Sequence, residues 1–398
     1  MFRGSFTVTS LTNKTSAAAV LSSFSYGYNS DDKRTSGTES AGSVVSYGYD
    51  GLLHLSSESR TGASGYTALY VVDSVSNRTS STVGGVTTTY AYDADDELTG
   101  TSGGFVNSYG YNANGDQTTR TLAGASSGLT YDYDDQLTST GGAGFAYDAA
   151  GRRASRTAGG VTTSFLYDGG SVLLEKQGST TSATYTYGNS LIRKDGETPL
   201  FDGLGSERTV TNSSQSVTAS LTLSAFGQTV ASSGSSTSAY QFGATSGYRT
   251  EGDAGLTLVG CRFYDAQVGR FITRDTYLDQ RPYAYCDGDP VNATDPSGHA
   301  GIVSGLVGTG VGIGVYFIVI VAIEIVSGGA ATPIIIAVVA GGIGGAAGGA
   351  VTAGMDGTNV GTGAIEGGIL GVGMAGAGPA FGRFGVAIAQ AIKNTLSP

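Results

Sequence analysis

The sequence predicts a mainly β protein, built of antiparallel β-hairpins stacked in a row and followed by an apolar α-helical tail. Three observations predict it. An aromatic-x-Tyr-Asp pattern recurs through the first 190 residues. Between the copies, Thr, Ser and Val alternate and are bounded by Asp, Asn and Gly, the residues of tight turns. Beyond Ala300 the chain changes to Gly, Ala, Ile and Val.

The copies stand at Tyr26-Gly-Tyr28-Asn29, Tyr47-Gly-Tyr49-Asp50, Tyr90-Ala-Tyr92-Asp93 and Tyr109-Gly-Tyr111-Asn112. They continue at Tyr131-Asp-Tyr133-Asp134, Phe145-Ala-Tyr147-Asp148, Phe165-Leu-Tyr167-Asp168 and Tyr185-Thr-Tyr187-Gly188, with a degenerate copy at Tyr70-Val-Val72-Asp73. The second position recurs at intervals of 21, 23, 20, 19, 22, 14, 20 and 20 residues. A period near 20 means one supersecondary unit per repeat, stacked on its neighbours. In the unit Val86 to Tyr92, β-branched and aromatic residues suit a pleated, half-buried surface. Asp93 to Glu97 is the turn, since Asp side chains bond their own backbone. Gly84-Gly85, Gly103-Gly104, Gly141-Gly142 and Gly159-Gly160 mark the turns between repeats. The Tyr ring buries against the next repeat while its hydroxyl finds a partner.

From Leu191 to Ala254 the period loosens. Pro199 to Ser206 reads as another degenerate repeat, and Ser232 to Ser238 as an exposed loop. The expected organisation is therefore repeats over 1–190, degenerate repeats over 191–257, a compact module over 258–299, and a tail over 300–398.

Composition bounds the function. The chain has 398 residues, 66 of them Gly, only 13% charged, with a net charge of -11. Phosphate binding needs clustered Lys and Arg, so no nucleic-acid partner is expected. The only histidines are His54 and His299, and no CxxC occurs, so no metal site and no cofactor is expected. Cys261 and Cys286 both lie in the module; spacing alone does not decide whether they pair. The N-terminus lacks an apolar run of seven or more residues, so no signal peptide is expected in this chain. It begins in mid-pattern, as the C-terminal piece of a longer protein would.

The module, Leu258 to His299, is densest in Tyr, Asp, Pro and Arg. It carries Arg262-Phe263-Tyr264-Asp265, Gly269-Arg270-Phe271, Arg274-Asp275, Tyr283-Ala284-Tyr285, Pro290-Val291-Asn292 and Asp295-Pro296-Ser297-Gly298. In this order these residues resemble the RHS repeat-associated core, and the upstream pattern resembles the YD repeats of the same RHS family. The resemblance implies a large spiral or open shell sheet, closed by the module. It also implies self-cleavage between His299 and Ala300, with Arg274, Asp275 and Asp295 as the acting residues. Two adjacent carboxylates cannot both ionise easily, so one holds a proton while the other activates water or an amide. An Arg orients a carboxylate or stabilises an oxyanion. The first element departs from the family's Arg-Asp-Pro-x-Gly, reading Arg274-Asp275-Thr276-Tyr277-Leu278, and His299 stands where Leu is common.

The tail reads as two or three packed membrane-competent helices, over Ile302 to Val326, Ala330 to Gly354 and a weaker stretch, Ala364 to Gly382. Gly341, Gly345, Gly349 and Gly363, Gly367, Gly371 recur every four residues, a small-xxx-small face that lets helices approach closely in lipid. Arg383 and Lys393 after the last span favour a cytoplasmic C-terminus.

The first functional reading is an RHS-type shell or scaffold carrying a membrane-active or translocation tail, at most an aspartyl-type autoprotease on its own chain. Its partners would be a membrane through the tail and the chain's own tail inside the shell. By resemblance they would also include a secretion machinery and an immunity protein. It would be secreted or at the cell surface. The second reading is a membrane-anchored surface protein whose repeats present an adhesive, carbohydrate-binding aromatic face. A peptidase acting in trans and an inactive remnant stay open as well.

Overall fold

The computed structural model describes residues 8–40, 42–188 and 190–299, and beyond them the strands Ile302–Val303, Phe317–Ser327 and Ala330–Ala340. The chain divides into two units, Met1–Gly312 and Ile313–Pro398. In the first unit, nineteen strands from Ser10–Lys14 to Leu191–Lys194 form one antiparallel meander, each strand bonded to the next. The neighbours Leu98–Gly103 and Asn107–Tyr111 meet only at Gly100 and Ser108. This is the mainly β, hairpin-repeat architecture that the sequence predicts.

Each repeat turn is built by one side chain. Oδ1 of Asp50 accepts the N–H groups of Leu52 and His54, and Oδ1 of Asp93 those of Asp95 and Glu97. Asn29, Asp73, Asn112, Asp132 and Asp148 do the same two and four residues ahead. The residue third after the carboxylate or amide takes positive φ: Asp32, Leu53, Ser76, Asp96, Gly115, Asp135 and Gly151. Six residues after the second aromatic position, the return strand begins with a buried side chain: Arg34, Leu55, Arg78, Leu98, Gln117, Leu137 or Arg153.

One expected register is corrected. Tyr131, not Tyr133, is the second aromatic of its repeat. Asp132 holds the turn, Tyr131 ends its strand, and Tyr133 is fully exposed. The adjoining intervals thus become 20 and 16 residues instead of 22 and 14. The tyrosine hydroxyls do find partners. Those of Tyr49, Tyr92, Tyr131 and Tyr167 donate to the carbonyls of Arg34, Arg78, Gln117 and Arg153, the first residue of the preceding return strand.

Residues 198–299 pack on one face of this sheet. A four-stranded sheet from Thr198–Phe201 to Thr229–Gly234 repeats the same turn design at Asp202 and Asn212. A second one runs from Arg249–Glu251 to Arg270–Phe271. Phe263, Leu256 and Ile272 pack against Leu129, Leu137 and Phe145 of the repeats. Buried ion pairs join the layers, Arg120 to Asp265 at 2.6 Å and Arg153 to Glu251 at 2.6 Å. The segment touches both ends of the meander: Tyr26 accepts from Gly203 N–H, and Arg249 pairs with Glu175. Among the described strands the first and the last of the nineteen are not paired with each other, so the sheet is open.

The helical tail is not what the described tail residues form. Phe317–Ser327 and Ala330–Ala340 are extended and pair antiparallel, from Phe317 opposite Ala340 to Ser327 opposite Ala330. The physical reason is local: Ile and Val are stiff at χ1 and favour the pleated surface. Gly328-Gly329 stands between the two runs in the sequence, as hairpin chemistry requires. The rest of the three expected spans, and the glycine faces at Gly341 to Gly349 and Gly363 to Gly371, lie outside the described residues. Among the described residues no helix is long and apolar enough to cross a membrane.

Candidate functional site

The site forms where the second half of the module folds back on the first. Strand Ala293–Thr294 pairs antiparallel with Ile302–Val303, Thr294 opposite Ile302. The loop between them contains His299 and Ala300, the expected point of cleavage; Ala300 itself is outside the described residues. Asp295 closes the loop. Its Oδ1 accepts the N–H groups of Gly298 at 2.9 Å and His299 at 3.0 Å, and the Ser297 hydroxyl at 3.1 Å. Gly298 sits at φ +80 against the turn at Gly260, which has φ +55. A Cβ on Gly298 would overlap the Val259 carbonyl oxygen, and one on Gly260 the Ser297 carbonyl, so the two backbones meet only as glycines. The Cys261 N–H then donates to Ser297 O.

This contact delivers Arg262 and Cys261 to the loop. Arg262 Nε donates to the Gly298 carbonyl. Its guanidinium lies 2.7 Å from Asp275, outside hydrogen-bonding angles, so the contact is ionic. Asp275 is buried, and its other oxygen is 2.8 Å from His299 Nδ1. On the opposite side of that ring, Nε2 is 3.3 Å from Cys261 Sγ. The Tyr277 ring stacks on the imidazole at 4.1 Å.

Charge follows from these contacts. Burial pushes the Asp295 carboxyl up from its ordinary range, against the pull of Arg262, the Ser297 hydroxyl and two backbone N–H groups. The hydrogen bond to Asp275, with that to Cys261 behind it, holds His299 up at about 9. At neutral pH His299 is an imidazolium. Desolvation lowers the Arg262 guanidinium, opposed by Asp275 and Asp295.

Of the residues expected from sequence, Asp275, Asp295 and His299 are gathered around one loop. Arg274 is exposed; the guanidinium against Asp275 belongs to Arg262. Sequence reasoning missed Arg262 because it reaches Asp275 across the hairpin in which Tyr264 pairs with Phe271 and Ile272 N–H donates to the Phe263 carbonyl, a register that the motif spacing does not give. Cys261 was considered only for pairing with Cys286, and the structure has both thiols free, Cys261 exposed and Cys286 buried. Cys261 and Asp275 bond opposite nitrogens of one ring and so do not converge on a point; among the described residues no group of three or more such side chains could hold a metal ion.

Residues 65–190 match the Teneurin YD-shell family model. Among solved structures, the chain is similar to the TcdB2-TccC3-Cdc42 crystal structure at 13% identity and a TM-score of 0.37, over 73% of this chain and 20% of that one. It is likewise similar to the Photorhabdus luminescens Tc holotoxin pore at 13% identity and a TM-score of 0.39, over 74% of this chain and 20% of that one. A porin-like protein from Bacteroides uniformis follows at 13% identity and a TM-score of 0.23, over 39% of this chain and 87% of that one. The chain thus spans about a fifth of the length of the first two. No curated protein sequence matches it. The family match over residues 65–190 agrees with the Asx-turned hairpins that extend it on both sides, so the repeat region is a YD-type repeat sheet.

Proposed function

We propose that the chain is the closing part of a delivery shell that cuts itself after His299 and so frees residues 300–398. One observation carries this reading. Asp275 and Asp295 are both buried at a loop whose two arms, 293–294 and 302–303, are paired across the expected bond. Asp295, raised by burial, is the proton-holding member. Asp275, flanked by Arg262 and His299, is the carboxylate that activates water. Water adds to the His299 carbonyl carbon, the C–N bond breaks, and the Ala300 amine leaves with the proton from Asp295. Arg262, rather than exposed Arg274, steadies the loop carbonyls.

The freed segment is the membrane-active part, and the shell would be secreted or held at a cell surface. A tilted transmembrane β-strand needs about 9–11 residues. The paired strands Phe317–Ser327 and Ala330–Ala340 have 11 each, so the segment is long enough to enter a bilayer as a hairpin that associates with others. The shell part keeps its strongly polar, Thr- and Ser-rich outer strands.

Vesicle flotation of the full chain at neutral pH tests this. The expected result is residues 300–398 in the floating fraction and 1–299 below it, with Asp295→Asn leaving one uncut chain. An uncut parent that floats whole would support a membrane-anchored surface protein instead. A parent that neither cuts nor floats would sink the delivery reading.

A further inference from the structure

We propose that Cys261 is a histidine-activated nucleophile and a thiol–disulfide exchange site for small organic disulfides. The geometry is that of a nucleophile, an imidazole beside it and a group that orients the imidazole. Cys261 Sγ lies 3.3 Å from His299 Nε2, and His299 Nδ1 lies 2.8 Å from Asp275 Oδ1. Asp275 is fixed in turn by Arg262 at 2.7 Å. The imidazole stacks on the Tyr277 ring at 4.1 Å, with Nε2 facing the sulfur. The thiol is exposed and open to a reagent, whereas Cys286, the other thiol, is buried beneath Tyr285 and Tyr248 and has no histidine partner.

The thiolate is the form that attacks disulfides, and the imidazolium at 3.3 Å is placed to steady the negative charge on the attacking sulfur. The groups facing the relay are Asp275 on Nδ1, Cys261 on Nε2, Tyr277 on the ring face, Arg262 across Asp275, and Asp295 on the His299 backbone N–H. The step balances. The Cys261 sulfur forms a new S–S bond to one sulfur of the disulfide, and the old S–S bond breaks. The other sulfur leaves as a thiolate; Cys261 attacks as the thiolate, its proton lost to solvent, and the His299 imidazolium keeps its own protons. All three side chains precede the bond after His299, so the site persists whether or not that bond is cut.

The test uses the full chain and 4,4′-dithiodipyridine from pH 6 to pH 9, with the modified cysteine identified by mass. It is run on the parent and on Asp295→Asn, which separates the outcome from cleavage. Cys261 is expected to react alone, with a nearly flat rate between pH 6 and pH 8. His299→Gln is expected to slow it about tenfold or more at pH 6, the two proteins converging near pH 9. An unreacted Cys286 reports that the variant is folded. A parent rate that climbs about tenfold per pH unit, as for a free thiol, would overturn the proposal without reference to any variant. So would equal parent and His299→Gln rates at pH 6, or modification of Cys286 as fast as Cys261.

Discussion

The two histidines of this chain sit in relays of the same outline, and they differ in what surrounds them. His54 Nδ1 is 2.8 Å from Asp50, and its Nε2 is 2.8 Å from the Ser76 hydroxyl. His299 lies between Asp275 and Cys261. The His54 relay is one rung of a ladder. At the same repeat position Gln136 reaches the Gly151 carbonyl and Arg152 reaches the Gly169 carbonyl, each tying one turn to the next. Asn77 likewise donates to Asp96. A chemistry that Gln, Arg and Asn perform equally well is bridging, not catalysis. The His299 relay has no counterpart in the repeats. It gathers residues from both halves of the module, with an exposed thiol at one end and a buried ion pair at the other.

Substitutions can break or sharpen this contrast. The largest effect is expected at Arg262→Ala, which leaves Asp275 buried with only His299 as a counter-charge. The loss is about 3–5 kcal/mol of stability by denaturant unfolding. A loss under about 1 kcal/mol would mean that the module does not depend on this pair.

Next comes pH. His299 is raised in the folded chain to about 9 from an ordinary 6.5. Its contribution is therefore fully present below about pH 6.5 and lost as pH rises through about 9. The parent should lose about 1–2 kcal/mol across that window relative to His299→Gln, a figure discounted because the ring is partly open to solvent. Parallel stability curves for the two proteins would contradict the imidazolium assignment.

His54→Gln should cost less, about 1 kcal/mol, because Gln already serves at the equivalent position in another repeat. A loss above about 3 kcal/mol would break the claim that the rungs are interchangeable. The smallest change is expected for Ser76→Ala, about 0.5–1 kcal/mol in thermal unfolding, with no effect on the chain's mass pattern.

The repeat half of the fold was legible because its signal is local. Asp or Asn after the second aromatic captures two N–H groups by itself, and β-branched runs do the rest. The slip between Tyr131 and Tyr133 shows the limit. Tyr131-Asp132-Tyr133-Asp134 offers two registers two residues apart, and alternation keeps the same face in both. The missed clue was Leu137, buried six residues after Tyr131 as Leu98 follows Tyr92 and Leu55 follows Tyr49.

The site was half legible. Asp275, Asp295 and His299 were singled out from the motifs, whereas Arg262 lies in a motif but takes its role from hairpin pairing, and Cys261 meets the loop through a backbone contact between two glycines. Over Phe317–Ser327 and Ala330–Ala340 the chain is extended where helices were expected, because an apolar run suits a helix or a strand, and β-branched content, not hydrophobicity, separates the two.

The central claim is that the loop after Asp295 breaks its own chain, and the intact mass of protein purified near neutral pH tests it most directly. Acid must be avoided, since Asp289-Pro290 and Asp295-Pro296 are acid-labile. The account predicts two masses, for residues 1–299 and 300–398, in the parent, and one mass for the whole chain in both Asp275→Asn and Asp295→Asn. A single intact mass in the parent would contradict it.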